Sequence, residues 1–589
     1  MGRLFRPGVC YHLIASVAIL AVFGLIPAAL YMHAGEPWSF PGTLLLRLGG
    51  LGLLGLLAIV ALIRALALIS ARAAAVLAIL LFCLGSFLLL AHVYAPIQIG
   101  PLDGSPMISD EPLRHTLFEA ALLAALMVVF ALLVRGRGLA VASLFAAALW
   151  LIGAGYHGVI AWTGHVEEPR RVPRATASAE RGNVYHFVLD TLQTDAFRAA
   201  AERLDLADHL VGFDLFQNNI SNYINTVPSS ASYFTGTLYQ KGKYKKWTRT
   251  WRRRSLFATV RRAGYTTWMY APFSHWDSRH IDHFWHNIAL YEEETGAAPA
   301  HFYDFSQLWL ASLAPNFLTN EALVLAGGLR DRLFAALVGG ATPLSIETGV
   351  DQYSSVLMLE RLIREEPARP ASGQYVYAHA VLPHGPHVID PECRYVGKRE
   401  HGGSARVDGY LDQTICALRL VAAFLDQLRA LGRYDRSTIL IHADTGSRIG
   451  FLDQRVDDDG AETLGKSSYL LRSQVYALLA IKPPGAGGPL TVRTMPTQLV
   501  DVFPTLLDLL ELAPPRYRLH GRSVYAAAAA PREARFGFDP ARRHGWDLVE
   551  VRIDDPADLA HSSLTVLGPA TDPAIWRGEI RTGGRDMLR

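Results

Sequence analysis

Five long apolar runs crowd the first 162 residues, and they limit what this chain can fold into more than any other feature. They cover roughly 12–32, 44–63, 73–96, 117–134 and 139–162. Each is about long enough to cross a hydrocarbon core about 30 Å thick. Only a helix satisfies its own backbone in lipid, so the runs are expected to be transmembrane helices. In the second, Arg47 and Arg64 bound an uncharged core of 48–63, and both are long enough to snorkel to opposite interfaces. The first run is not read as a cleaved signal peptide: it is long, lacks a convincing cleavage site and is followed by four more spans.

Orientation follows from the loops. Arg3 and Arg6 precede the first run, Arg64 and Arg72 separate the second from the third, and Arg135 and Arg137 separate the fourth from the fifth. The alternate loops are poor in base: 33–43 has no Lys or Arg, and 97–116 sets Arg114 against Asp103, Asp110 and Glu111. The positive-inside rule therefore expects a cytoplasmic N-terminus. Five crossings then place residues 163–589 outside the cytoplasmic membrane, in a periplasmic or extracellular space. Disulfides persist in such a compartment. Cys393 and Cys416 are expected to pair there, the alternative being two separate buried thiols, whereas Cys10 and Cys83 belong to the membrane segments and are read as free. A net charge of +3 is too small to imply a nucleic-acid partner.

Beyond the membrane segments the composition is that of a soluble domain. Residues 163–182 are polar with Pro and Gly and read as a linker, 183–525 as the main domain, and 526–589 as an irregular extension with short antiparallel strands. Strand patterns such as "NVYHFVLD" (183–190), "TTWMYAP", "GQYVYAHAVLPH" and "STILIHAD" (437–444) alternate with helical ones, among them 406–431. The expected fold class is α/β: a doubly wound, mostly parallel sheet covered on both faces.

Ligands bind at the carboxyl ends of such strands. Two strands end there on an acid, Asp190 and Asp444, both suited to a divalent cation. Between them in the chain, "TVPSSASYFTG" sets Thr226 at the mouth of a helix, where free N–H groups and the dipole favour a phosphate or sulfate. A threonine hydroxyl is a weak nucleophile unless a metal lowers its pKa. The plain alternative is a turn at Thr226 with Ser229 as a helix cap.

The ordered set "NVYHFVLDTLQTDAF", "TVPSSASYFTG", "HAVLPHGPH", "HADTGSRIG" and "MPTQLVDVFPTLLDLL" resembles the sulfatase branch of the alkaline phosphatase superfamily over roughly 183–525. With five membrane helices in front, the chain is similar to lipoteichoic acid synthases and lipid A phosphoethanolamine transferases. The resemblance implies one divalent metal ion (Mg, Mn, Ca or Zn), Asp190 and Asp444 as its acids, Thr226 as nucleophile and metal neighbour, and His384 and Lys466 as substrate contacts. Arg448, just after Asp444, is suited to a phosphate oxygen or to a nearby acid. The implied activity is transfer of a phospholipid headgroup, phosphoethanolamine or phosphoglycerol, to an envelope lipid or glycan by a monomeric membrane enzyme. A hydrolase with water as acceptor and a lipid-sensing pseudoenzyme are the alternatives.

Three departures qualify that resemblance. Residue 226 is Thr rather than Cys or Ser, so no formylglycine can be made. Position 230 is Ser where sulfatases keep Arg. Position 445 is Thr where the late Asp-His-Gly motif has a metal-binding His, which leaves Thr445 as a much weaker metal ligand there. His442, two residues before Asp444, shares its strand face and is a candidate substitute, although a core histidine is the commoner case. His379 and His387 flank His384 and can exchange protons or hydrogen bonds with an anionic substrate. Two further stretches, "HWDSRHIDHFWH" (275–286) and "KGKYKKWTRTWRRR" (241–254), suit a headgroup pocket and an anionic lipid surface, or are solvated loops.

Overall fold

The computed structural model describes residues 7–33, 43–94, 113–163, 181–239, 244–272, 279–297, 300–315, 318–337, 343–397, 403–450, 466–526, 534–538, 547–552, 562–569 and 585–586. The chain divides into two compact units. One comprises Met1–Glu168 and Thr295–Glu347, the other Pro169–Glu294 and Thr348–Arg589.

The first unit is helical. Among the described residues, four helical stretches are long and apolar enough to cross a membrane: Val9–Ala28, Gly50–Ile69, Ala71–Tyr94 and Leu113–Val134. A fifth apolar helix spans Leu139–Thr163. The second helix does not stop at Arg64. It runs from Thr43 to Ile69 and encloses both Arg47 and Arg64, and Ser70 alone separates it from the next helix. Small residues set the closest approach. A Cβ on Gly85 would meet the Ala18 backbone nitrogen at 2.6 Å, so these helices touch backbone to backbone. The segment 295–347, which the sequence pattern left inside the main domain, belongs to this unit. The indole of Trp309 on its Ala300–Ala311 helix donates to the Val22 carbonyl at 2.7 Å.

The second unit is built on an eight-stranded sheet. In chain order its strands and two short neighbours are β1 (Val184–Leu189), β2 (Asp214–Phe216), β3 (Asn219–Ile220), β4 (Thr266–Ala271), β5 (His283–His286), β6 (Gln374–Ala380), β7 (Thr438–His442), β8 (Leu479–Lys482), β9 (Thr491–Arg493) and β10 (Thr497–Gln498). The sheet order is β5-β4-β6-β1-β7-β8-β2-β9, and β3 pairs with β10 apart from it. The five strands from β5 to β7 are parallel, whereas β8 runs antiparallel to both β7 and β2. Every residue of β1, β6 and β7 is buried, as expected for central strands covered on both faces. The long Gly403–Ala430 helix covers one face, where Phe424 meets Tyr185 and Phe187 edge-on at 5.1 and 5.3 Å between centroids.

The C-terminal residues form a second sheet, antiparallel, of β11 (Ala534–Phe538), β12 (Asp547–Arg552), β13 (Ser563–Pro569) and β14 (Arg585–Asp586). Asn222 ties it to the short β3–β10 pair. Its side chain donates to Gln498 Oε1 at 2.8 Å and to the Arg535 carbonyl at 3.1 Å and accepts from the Val500 N–H at 2.8 Å, while its carbonyl accepts from the Gly537 N–H.

Candidate active site

The candidate residues converge at the carboxyl ends of the three central strands. Asp190 follows β1, His379 lies near the end of β6, and Asp444 follows β7 by two residues. Parallel register does the placing: Val188 pairs with His379 on one side and with His442 on the other. Asp190, His379 and Asp444 are all buried, and each brings one ligand atom within 4.8 Å of the others. His379 Nε2 stands 3.2 Å from Asp190 Oδ2, and the Thr191 N–H donates to Asp444 Oδ1 at 3.2 Å.

Thr226 opens the Thr226–Thr235 helix, after an extended Asn225. Its hydroxyl lies near enough to the Asp444 carboxylate to favour the ionised acid. Three residues on, buried Ser229 donates from Oγ to the Asp444 backbone carbonyl at 2.5 Å, so its hydroxyl does not cap the helix. Gly236 ends this helix at φ +64, where a Cβ would strike Phe503 and Leu519 at 2.8 Å.

Electrostatics at the acid pair are those of a cation site. Burial alone would raise Asp190, but the hydrogen bond from His379 and the nearby His384 hold its carboxyl below the usual range. Asp444 is pushed up to about 6 by burial and then by the charge of Asp190. One oxygen of each acid, Asp190 Oδ1 and Asp444 Oδ2, is buried and accepts no hydrogen bond. Two enclosed carboxylates, each with an unmatched oxygen, are costly without a counter-charge. The donor set fits a divalent metal ion.

His384 is half-buried on the loop after β6, and its charge bears on Asp190 and on Asp351. Gln413 of the long helix holds this loop, donating to the Pro383 and His384 carbonyls and accepting from the Val388 and Ile389 N–H groups. One turn further along that helix, Cys416 is joined to Cys393 in a disulfide. Thr445 is buried directly after Asp444, and Arg448 lies exposed on the following turn. Lys466 begins the Lys466–Val475 helix, and its side chain lies outside the described residues, as do 275–278 and 241–243 of the two histidine-rich and basic stretches.

His442 does not take the place of the missing imidazole. Its Nδ1 faces the Ala443 carbonyl at 2.8 Å and must donate; its Nε2 lies 2.6 Å from His186 Nε2 and therefore accepts. His186 in turn accepts at Nδ1 from the Tyr375 hydroxyl at 2.7 Å. Burial pushes His442 down to about 4 and His186 well below its ordinary value, so both rings are neutral core residues.

In the sequence His379 stands out only as a flank of the His384 loop, and Asp351, which burial raises to about 6, carries no mark at all. The signal for His379 was the alternation Tyr375, Tyr377, His379, which puts three polar rings on one face of a central strand. Such a face points to a polar interior rather than an apolar core.

The sulfatase family model matches residues 194–512, just over half of the chain. The chain belongs to the sulfatase family. Domains of this family use a divalent metal ion, in keeping with the acid pair here. Solved structures similar to this sulfatase-family protein include the phosphonate monoester hydrolase of Silicibacter pomeroyi, at 14% identity over 67% of this chain and 88% of that one with a TM-score of 0.43. The C-terminal periplasmic domain of EcEptC from Escherichia coli, solved with zinc, aligns at 12% identity over 64% of this chain and 96% of that one, TM-score 0.39. The 2-O GAG sulfatase BT1596 aligns at 11% identity over 69% and 85%, TM-score 0.39. Among curated proteins none matches the sequence.

Proposed function

We propose that this sulfatase-family protein is a membrane-bound transferase that moves a phospholipid-derived phosphoryl headgroup, phosphoethanolamine or phosphoglycerol, to an envelope lipid or glycan through Thr226. The observation that carries the reading is the place of Thr226, at the start of a helix that Ser229 fastens to the buried Asp444 through its backbone carbonyl at 2.5 Å. Threonine at this position cannot become formylglycine, which speaks against sulfate-ester hydrolysis and for a direct hydroxyl nucleophile. Asp190 and Asp444 would hold the metal, with Thr226 beside it; when bound, the metal lowers the hydroxyl's pKa and neutralises charge on the phosphoryl oxygens.

In the first half-reaction Thr226 Oγ1 bonds to the phosphorus and the phosphorus–oxygen bond to diacylglycerol breaks. The threonine proton passes to the Asp444 carboxylate, and the departing alkoxide takes a proton from solvent. In the second, an acceptor hydroxyl attacks the phosphorus and gives up its proton to solvent, the bond from phosphorus to Thr226 Oγ1 breaks, and Oγ1 takes back the proton held at Asp444. His384 orients the headgroup from the loop after β6. The apolar N-terminal helices keep the protein in the membrane with its lipid donor, the N-terminus on the cytoplasmic side and the sulfatase-like domain outside.

The test is direct. Full-length protein, loaded with zinc or manganese in detergent, is incubated with phosphatidylethanolamine or phosphatidylglycerol and digested for mass spectrometry. A headgroup-phosphate adduct on Thr226, absent in Thr226→Ala, is expected. Metal-loaded protein that never carries the adduct with either lipid, even without an acceptor, overturns the transferase reading.

A further inference from the structure

We infer that the imidazole missing at position 445 is supplied at 379: His379 is a metal ligand, held in its binding tautomer by a hydroxyl relay, Tyr377–Tyr233–Ser230, that begins on the nucleophile's own helix. The inference deepens the proposed function by naming the third protein ligand and the residues that position it.

The geometry has three parts. His379 reaches the acid pair with Nε2, which lies 3.2 Å from Asp190 Oδ2. Its other nitrogen, Nδ1, lies 3.2 Å from the Tyr377 hydroxyl, two residues back on the same strand face. Tyr377 Oη is 2.9 Å from Tyr233 Oη, which is 3.0 Å from Ser230 Oγ. All four residues are buried. Asp190 Oδ1 and Asp444 Oδ2, enclosed and unmatched, mark where the ion would have to sit.

A metal-ligating imidazole must present a lone pair, and its second nitrogen is nearly always fixed by an outer partner. Facing a bare carboxylate, Nε2 carries the proton and Nδ1 accepts from Tyr377. When Nε2 turns its lone pair to a cation, it gives up that proton and Nδ1 takes one up, both by exchange with water, so the ring stays neutral. Nδ1 then donates to Tyr377 Oη, Tyr377 donates to Tyr233, and Tyr233 donates to Ser230. Every hydroxyl in this chain can either donate or accept, so the relay serves both tautomers by rotation alone. An arginine at 230, as sulfatases have, offers donors only and could not end such a relay as an acceptor. The departures at 230 and 445 are thereby linked: one lets the replacement ligand be held, and the other makes it necessary.

Metal affinity of the full-length protein in detergent, by competition titration with zinc, and the visible spectrum of the cobalt-substituted form test this without reference to activity. His379→Ala should weaken zinc binding by at least 100-fold and shift the cobalt bands. Tyr377→Phe, which keeps the ring's packing, should weaken binding about 10–100-fold. The double variant H379A/T445H should regain most of the affinity, which also shows that the single variant had not simply unfolded. Wild-type affinity and an unchanged cobalt spectrum in His379→Ala overturn the ligand assignment; unchanged affinity in Tyr377→Phe overturns the relay. Wild-type protein that binds zinc through His379 yet forms no Thr226 adduct leaves this inference standing and removes the transferase reading instead.

Discussion

His379 Nε2 and Asp190 Oδ2 approach to 3.2 Å from neighbouring strands whose residues are 189 apart in sequence. The contact exists because β6 and β1 are parallel and in a register that aligns His379 with Val188, just short of Asp190. It brings one nitrogen donor to two carboxylates inside the fold, a set suited to a divalent metal ion.

Neutralising one acid should stabilise the metal-free protein. At neutral pH, Asp444 is held ionised although burial and Asp190 push its carboxyl up to about 6. Asp444→Asn removes that penalty, on the order of 1–3 kcal/mol. The metal-free melting midpoint should rise, while added zinc, which raises the wild-type midpoint, should do nothing for the variant. A lower metal-free midpoint in Asp444→Asn would contradict the account of the pair.

Acid should destabilise the fold through the His186–His442 pair. Both folded-state values are depressed, mainly by burial, with His442 at about 4 against an ordinary 6.5. The unfolded chain therefore binds more protons between those values, and stability is lost as pH falls from 6.5 towards 4. Denaturation midpoints of metal-free protein across that window should fall less steeply in H186Q/H442Q than in wild type, even if the double variant is weaker at pH 7. Equal slopes would place the acid-sensitive groups elsewhere.

Ser229→Ala should cost about 1–2 kcal/mol, because the buried Asp444 carbonyl loses the donor 2.5 Å away. Gly446→Ala should cost more. A Cβ there would sit 2.1 Å from the Ser473 carbonyl and 2.7 Å from that of Tyr476, both backbone atoms with no room to withdraw. Urea titration ranks the two, and a Gly446→Ala protein as stable as wild type would mean that this loop yields.

Reduction should loosen the His384 loop. The Cys393–Cys416 bridge closes 23 residues and sits one turn from Gln413, which holds the loop's backbone. The bridge is worth about 3 kcal/mol by chain entropy. Hydrogen exchange at residues 383–396 should accelerate in reduced protein while β1 and β7 keep their protection. Reactive thiols at both positions in unreduced protein would show that the bridge is not formed.

Much of the site was legible because it hangs on strand ends. A buried apolar run that stops on an acid, as at Leu189–Asp190 and Ala443–Asp444, reads plainly, and a helix start rich in hydroxyls does so too. What stayed hidden depends on register between strands far apart in the chain. The alternation Tyr375, Tyr377, His379 marks a polar strand face, but nothing local says that His379 meets Asp190 or that the partner of His442 is His186. The helical segment 295–347 was equally opaque: its helices look like those of any α/β domain, and only packing of Phe305 and Trp309 among the N-terminal helices assigns it elsewhere.

Asn222 gives the site a schedule. The segment that leads into Thr226 is fastened through Asn222 to Gln498, Val500, Arg535 and Gly537. Those partners are made some 300 residues after the threonine itself. During synthesis the segment that leads into Thr226 therefore hangs unanchored until nearly the whole chain has been made, and a molecule that stalls short of its C-terminal sheet carries Thr226 without that brace.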